Sequence, residues 1–229
     1  MTIRTSVCVT ARAPIRRRAV TQTASAYRGP VARPTRWQTD TKDDHSEWYV
    51  ERFRSMAAAG DDLGGEARLV DALLPPRSRV LDAGCGPGRT GAVLHERGHV
   101  VVGVDADAVL IAAAEADHPG PTWVVADLVE MDLATLGEPE PFDGAVLAGN
   151  VMVFLAPGTE AAALANVGRH IVSDGFVVVG FHVDRHLSLG DFDRAVEEAG
   201  LAVEHRFATW DLRPWHDQAD FAVTVLRTV

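Results

Sequence analysis

The stretch "VLDAGCGPGRTG", Val80 to Gly91, decides how the chain folds. A short apolar run leads into three glycines at alternate positions, Gly84, Gly86 and Gly88, and a helical pattern begins directly after them. Such a turn joins a buried strand to a helix and lets bare backbone approach whatever lies over it. It defines one strand–loop–helix unit, and further units surround it.

Upstream, "HSEWYVERFRSM" places Trp48, Tyr49, Phe53 and Met56 on one helix face. "GDDLGG" breaks that helix. "EARLVDALL" is a second helix with Leu69, Val70, Leu73 and Leu74 inward, ended by Pro75 and Pro76. Downstream of the loop, "TGAVLHERG" is a helix stopped at Gly98. Strands "HVVVGVD" and "TWVVAD" flank the alanine-rich helix "AVLIAAAEAD". "FDGAVLAGN" is a strand, "TEAAALANVGRHI" a helix with Leu164, Val167 and Ile171 on one side, and "GFVVVGFHV" a strand. "SLGDFDRAVEEAG" is a helix with Ser188 as N-cap and Gly200 as its stop. "LAVEHRFATWDL" and "DFAVTVLRTV" close the chain as two strands with no helix between them. Continuous apolar strands separated by helices mean a parallel sheet covered on both faces, and the last pair must be antiparallel.

Composition sets the outer bounds. The chain has 229 residues, 47% hydrophobic and 24% charged, enough for one sizeable core. No apolar run reaches the roughly 18 residues of a spanning helix, so the expectation is a soluble protein without a membrane partner, and the use of its two cysteines fits a reducing cytoplasm. Cys8 and Cys85 form neither a disulfide framework nor a zinc cluster, and no histidine spacing suggests a metal. Histidines 95, 99, 118 and 170 read as surface or helix residues.

Charge is unevenly placed. Residues 1–36 hold eight arginines and no acid. Of 22 basic residues 14 therefore remain, against 32 acidic ones, so residues 37–229 carry −18. Such a body repels nucleic acid and anionic membrane. The basic head has neither helical nor strand period. Residues 1–40 are expected as a disordered segment, or as an extension begun upstream of the true start, with residues 41–229 as the domain. A transit peptide and a nucleic-acid arm are the alternatives.

The glycine loop selects its ligand by what surrounds it. A triphosphate-binding loop ends in Gly-Lys-Ser/Thr, whereas here Arg89 and Thr90 follow Gly88, and the one lysine is Lys42. A dinucleotide fingerprint occurs at Gly86–Gly91, later after the strand than that turn prefers. Asp82, at the strand end, opposes a pyrophosphate but favours an ammonium or a sulfonium. Asp105 ends the next strand, where a carboxylate can accept from two ribose hydroxyls. Asp127 ends the third and can accept from an adenine amino group. Each also has a bland reading as a turn or helix cap.

"VLDAGCGPG", "VVGVDAD", "WVVADLVEMDL" and "FDGAVLAGNVMVFL" resemble, in order and spacing, the class I S-adenosylmethionine-dependent methyltransferases. The resemblance runs from about Trp48 to the C-terminus. It implies a Rossmann-like seven-stranded, mostly parallel sheet with helices on both faces, and a C-terminal antiparallel hairpin whose last strand slots between the fifth and sixth. It implies S-adenosyl-L-methionine as cofactor. By match, Asp82, Ala83, Gly84, Cys85, Gly86 and Gly88 cradle its methionine part. Asp105 holds the ribose, with Ala106 beside the adenine. Asp127 and Leu128 meet the adenine edge, and Gly149 and Asn150 face the methionine moiety and the transferring methyl. Trp48, Tyr49 and Arg52 lie on the helix that covers the pocket in many relatives; core packing is the alternative for Trp48 and Tyr49, and for Asn150 it is a turn. Cys85 reads as small packing filler, since a neighbouring acid raises a thiol pKa.

The expected enzyme is a methyltransferase acting in line on a small-molecule acceptor. His182 and His216 are candidate bases with structural readings at least as good. "GNVMVF" lacks the Pro-Pro of enzymes that methylate exocyclic amino groups. Phe154, Trp210 and Trp215 can line an acceptor pocket or serve as packing. Three rivals stand: an NAD(P)-dependent oxidoreductase, a non-catalytic S-adenosylmethionine-binding module, and an RNA methyltransferase using the arginine head.

Overall fold

The computed structural model describes residues 33–228. The arginine head up to residue 32, with its expected disorder, lies outside the described residues. The folded part nevertheless starts before the expected boundary at residue 41. Helix α1, Arg36–Thr39, is closed by a reciprocal capping box in which Thr35 Oγ1 accepts from Gln38 N–H and Gln38 Oε1 accepts from Thr35 N–H. Helices α2 (His45–Ala58) and α3 (Gly65–Leu73) follow.

Then come β1 (Arg79–Ala83), α4 (Arg89–Glu96), β2 (Val100–Asp105), α5 (Ala108–Asp117) and β3 (Thr122–Val125). The second half runs β4 (Phe142–Leu147), α6 (Val151–Phe154), α7 (Glu160–Arg169), β5 (Ile171–His182), α8 (Leu189–Glu198), β6 (Leu201–Phe207) and β7 (Phe221–Thr228). The seven strands form one sheet in the order β3-β2-β1-β4-β5-β7-β6. The first five pair in parallel, while β7 is antiparallel to both β5 and β6, inserted between them as expected.

Register explains the two cores. Side chains alternate across a sheet, so Val80, Val101, Val146, Val178 and Val223 share one face and pack under Leu69, Val70 and Leu94. Leu81, Val102, Leu147, Val179 and Leu226 share the other, against Leu164, Val167 and Phe192. Asp82 belongs to the first face, which directs its carboxylate at the start of α4. Ser188 caps α8 by accepting from Asp191 N–H, and Gly200, at φ +72°, follows it.

Three expectations change. Leu73, the last residue of α3, does not point inward and is 36% exposed. Ile171 starts β5 rather than ending α7; the strand reaches back past an irregular step in its pairing with β4. His99 is buried, its Nε2 3.0 Å from Asp71 Oδ1. The short helix α6 has no forerunner in the sequence reading.

Candidate functional site

A cleft of about 900 Å³, mouth included, opens where β2, β1 and β4 end. This is the position at which open parallel sheets bind ligands. Its floor is the turn after β1. Gly84 sits at φ +77°, and a β-carbon there would lie 2.5 Å from Val151 Cγ2. Gly88, at φ +85°, would drive one into the Trp123 ring at 2.8 Å. Side chains are therefore excluded at these two positions by neighbours as well as by backbone shape.

Two acids hold the floor. Asp82 is 1% exposed, and its Oδ2 accepts from Gly91 N–H at 2.8 Å in the first turn of α4. Burial pushes its carboxyl up to about 7. Asp105 accepts from Gly86 N–H at 2.9 Å through Oδ2 and from Asp107 N–H at 2.9 Å through Oδ1. Burial raises it to about 6. Each Asp105 oxygen keeps a second lone pair, which suits a diol. Ala106 lines the cleft beside it.

Asp127 and Leu128 line the far end of the cleft. Asp127 Oδ1 accepts from Val129 N–H at 2.7 Å, so the side chain does cap its own turn, and one oxygen remains. Asn166 braces the same turn, donating from Nδ2 to the carbonyls of Leu128, Val129 and Met131 at 2.9–3.0 Å. Sequence reading missed Asn166, since a helical asparagine carries no sign of its distant partners.

After β4, Gly149 lines the cleft and Asn150 does not. Asn150, at φ +70°, accepts through Oδ1 from the His182 N–H at 2.8 Å, with His182 Nδ1 3.0 Å away. The backbone donor settles which amide atom is oxygen, so His182 Nδ1 carries its proton. The Asn150 oxygen is thus engaged by β5. His182 packs edge-on to Phe221 at 4.8 Å and lies outside the cleft lining. His216 is exposed in the β6–β7 connection. Cys85 lines the cleft yet packs with Ile111, Ala114 and Trp123. Burial, with Asp82 and Asp105 next, holds its thiol well above the usual range.

The roof comes from the N-terminal strap, α1 with α2. Tyr49 lines the cleft, whereas Trp48 is 52% exposed and Arg52 lies over the Trp48 ring at 5.6 Å. Trp37 does what Trp48 was expected to do. It meets Tyr49 at 5.2 Å and Phe154 at 5.3 Å, both edge to face. Its Nε1 donates to Asp107 Oδ2 at 2.9 Å, and Ser46 Oγ donates to the same oxygen. The Thr-x-x-Gln spacing of Thr35 and Gln38 was the sequence signal for this helix. Of the three expected acceptor-pocket aromatics only Phe154 lines the cleft. Trp210 lies across Gly180 on the far core, and Trp215 packs against the other.

Electrostatically the cleft is one-sided. Among the described residues, Asp82, Asp105, Asp107 and Asp127 line it against Arg89 alone. Arg89 is already paired with Glu66, through bonds of 2.6 and 2.5 Å. The donor set fits a diol-bearing ligand with positive charge and has no free cation for phosphates. No group of three or more potential metal ligands gathers among the described residues, and no helix there is long and apolar enough to cross a membrane.

Comparison with known proteins agrees with this geometry. Residues 80–175 match a family model described as a methyltransferase domain. A TehB-like SAM-dependent methyltransferase from Corynebacterium glutamicum is 44% identical, with TM-score 0.77, over 82% of this chain and 100% of that one. At 18% identity and TM-score 0.61, a SAM-bound amino pentose methyltransferase from Micromonospora echinaspora shares the fold over 77% of this chain and 96% of its own. DesVI from Streptomyces venezuelae does so at 17% identity and TM-score 0.62, over 82% and 100%. No curated protein matches the sequence.

Proposed function

The chain belongs to the class I S-adenosylmethionine-dependent methyltransferases, and from that premise we propose that it methylates a small-molecule acceptor by in-line transfer within the strap-covered cleft. The observation that carries this reading is the charge of the cleft, with four carboxylates facing a single, already paired guanidinium. When bound, the cofactor supplies an electrophilic methyl on a cationic sulfur. The protein's task is then to hold and align. Asp105 takes the ribose diol while keeping Gly86 in place. Asp82 offers negative charge to the amino-acid end. The Asp127–Leu128 turn borders the base, and Gly149 closes the end towards β4. Fixed alignment of this kind lowers a barrier by about 7–11 kcal/mol in favourable cases.

A small acceptor is supported by the enclosure and by the charge of the body. Trp37, Tyr49 and Phe154 narrow the cleft to molecular dimensions, and the −18 of residues 37–229 repels polyanions.

The test is calorimetric titration with S-adenosylhomocysteine and, separately, with NAD(P). Binding of the thioether nucleoside and not the dinucleotide is expected. The reverse pattern overturns the reading. A labelled-methyl screen over small-molecule extract then identifies the acceptor; label found only in nucleic acid rejects the small-molecule assignment.

A further inference from the structure

A groove of about 750 Å³, mouth included, lies between α3 and the β6–β7 connection and shares no lining residue with the cleft. Arg68, Leu69 and Ala72 of α3 form one wall, and Trp210, Asp211 and Leu212 the other. The Trp210 ring rests on β5 at Gly180, where a β-carbon would meet its Cζ2 at 2.2 Å. The second wall therefore has a rigid apolar base.

Leu212 borders this groove in a disfavoured conformation. Its φ is +65°, and among the described residues it is the one apolar residue other than glycine with positive φ. There the β-carbon crowds the following carbonyl. The turn that carries it is closed on itself. Ala208 N–H donates to the Arg213 carbonyl at 2.9 Å, Leu212 N–H to the Thr209 carbonyl at 3.1 Å, and Arg213 N–H to Thr209 Oγ1 at 3.3 Å. These bonds fix the turn, yet the leucine on it is 46% exposed. An exposed leucine alone says little. A strained one, held beside an apolar groove, is a knob next to a hole.

Two-fold association needs a surface that fits itself, with a projection and a recess side by side. Rotation about an axis between Leu212 and the α3 wall brings each knob over the other copy's hole. The charges obey the same rule. Arg68 stands on one wall and Asp211 on the other, so the rotation sets each Arg68 against Asp211 of the partner subunit. Their present ion pairs are exposed and exchangeable, Arg68 with Asp62 at 2.7 Å and Asp211 with Arg213 at 3.4 Å. An unrelated partner would have to supply a leucine and both charges anew; a second copy supplies them by symmetry.

We propose that the groove between α3 and the β6–β7 connection is the contact face of a homodimer, in which Leu212 of each copy enters the groove of the other and Arg68 pairs with Asp211 across the two-fold axis. The contact does not depend on which ligand fills the cleft.

The experiment is sedimentation velocity on the full chain. Wild type should pass from monomer to dimer mass between about 1 and 100 µM. Leu212→Gly takes the same φ freely and removes the knob. Its far-UV circular dichroism should match wild type, so that any change reports the contact and not the fold. Its dimer dissociation constant should rise about a hundredfold or more, since two buried leucines are lost per dimer. Arg68→Asp and Asp211→Arg should each weaken the dimer about tenfold by setting like charges together. The double variant should regain wild-type assembly, because both pairs return with their signs exchanged. A chain that stays monomeric throughout overturns the proposal. So does a dimer that Leu212→Gly leaves intact, since its contact then lies elsewhere. A double variant as weak as the two single losses combined also overturns it, because Arg68 and Asp211 then do not meet.

Discussion

Asp105 holds the glycine turn by its own carboxylate: its Oδ2 accepts from the Gly86 backbone N–H at 2.9 Å. One side chain therefore both shapes the floor of the cleft and offers lone pairs to a diol. Asp105→Ala removes both at once. S-adenosylhomocysteine affinity should fall by roughly 1.5–3 kcal/mol, about tenfold to a hundredfold, as for hydrogen bonds to a charged group. Calorimetry at constant pH measures it, and an unaltered Kd would take Asp105 out of the site.

Asp82 makes the empty protein sensitive to alkali. Its folded pKa of about 7 lies above the unfolded carboxylate value of about 3.9, so the native state holds the extra proton between them. Stability contributed by Asp82 is thus present below that window and is lost as pH rises through it. Asp82→Asn keeps an oxygen for the Gly91 N–H and cannot ionise. In thermal melts without ligand, the variant should exceed wild type by a few degrees at pH 8, and the two should converge near pH 4. Cofactor binding should show the opposite trend. Wild-type affinity for S-adenosylhomocysteine, whose α-ammonium is cationic, should rise between pH 5 and 8, while Asp82→Asn binds weakly and with a flat profile.

The parts of this architecture that were legible in the sequence are those encoded locally. Period-two and period-3.6 patterns, together with Gly98 and Gly200 as stops, marked the principal strands and the long helices without any tertiary information. Asp82, Asp105 and the three glycines were readable because each follows a strand end at a fixed offset. What escaped depends on distant partners. Trp37 looks like part of an arginine-rich head until Asp107, 70 residues away, accepts its Nε1 proton. Asn150 looked equally suited to cofactor and turn, and its hydrogen bond with His182 of β5, 32 residues away, has no local sign. Trp210 is as aromatic as Phe154, but its placement over Gly180 follows from the hairpin's path, which no local pattern specifies.

Asn166 supports the cleft from behind. It is 2% exposed, and its amide group serves three carbonyls of the turn that carries Asp127. Arg169 donates in turn to its Oδ1 at 2.5 Å. Asn166→Ala leaves those carbonyls without donors in the interior. A loss of about 1–3 kcal/mol in urea-denaturation stability is expected for each acceptor that finds no water. S-adenosylhomocysteine binding should weaken by only a few fold, since Asp127 and Leu128 are loosened and not removed. A stability loss with intact affinity would show that the turn keeps its shape without the brace.

The strap offers a built-in reporter. Lys42, the chain's single lysine, lies exposed between α1 and α2, so a lysine-specific protease has one cleavage site. Cleavage needs several residues of extended backbone and therefore samples opening of the strap. Asp107 fastens the strap through Trp37 Nε1 and Ser46 Oγ, and Asp107 follows Asp105 by two residues. Trp37→Phe keeps an aromatic ring against Tyr49 and Phe154 and loses the N–H donor. Removing one hydrogen bond to a carboxylate, partly compensated by Ser46, should make opening about tenfold more frequent. The cut at Lys42 should accelerate accordingly. S-adenosylhomocysteine should slow the cut in both proteins, because a ligand beneath the strap binds the closed form and not the open one. Equal cutting rates in wild type and Trp37→Phe would mean that the Asp107 tie does not govern opening.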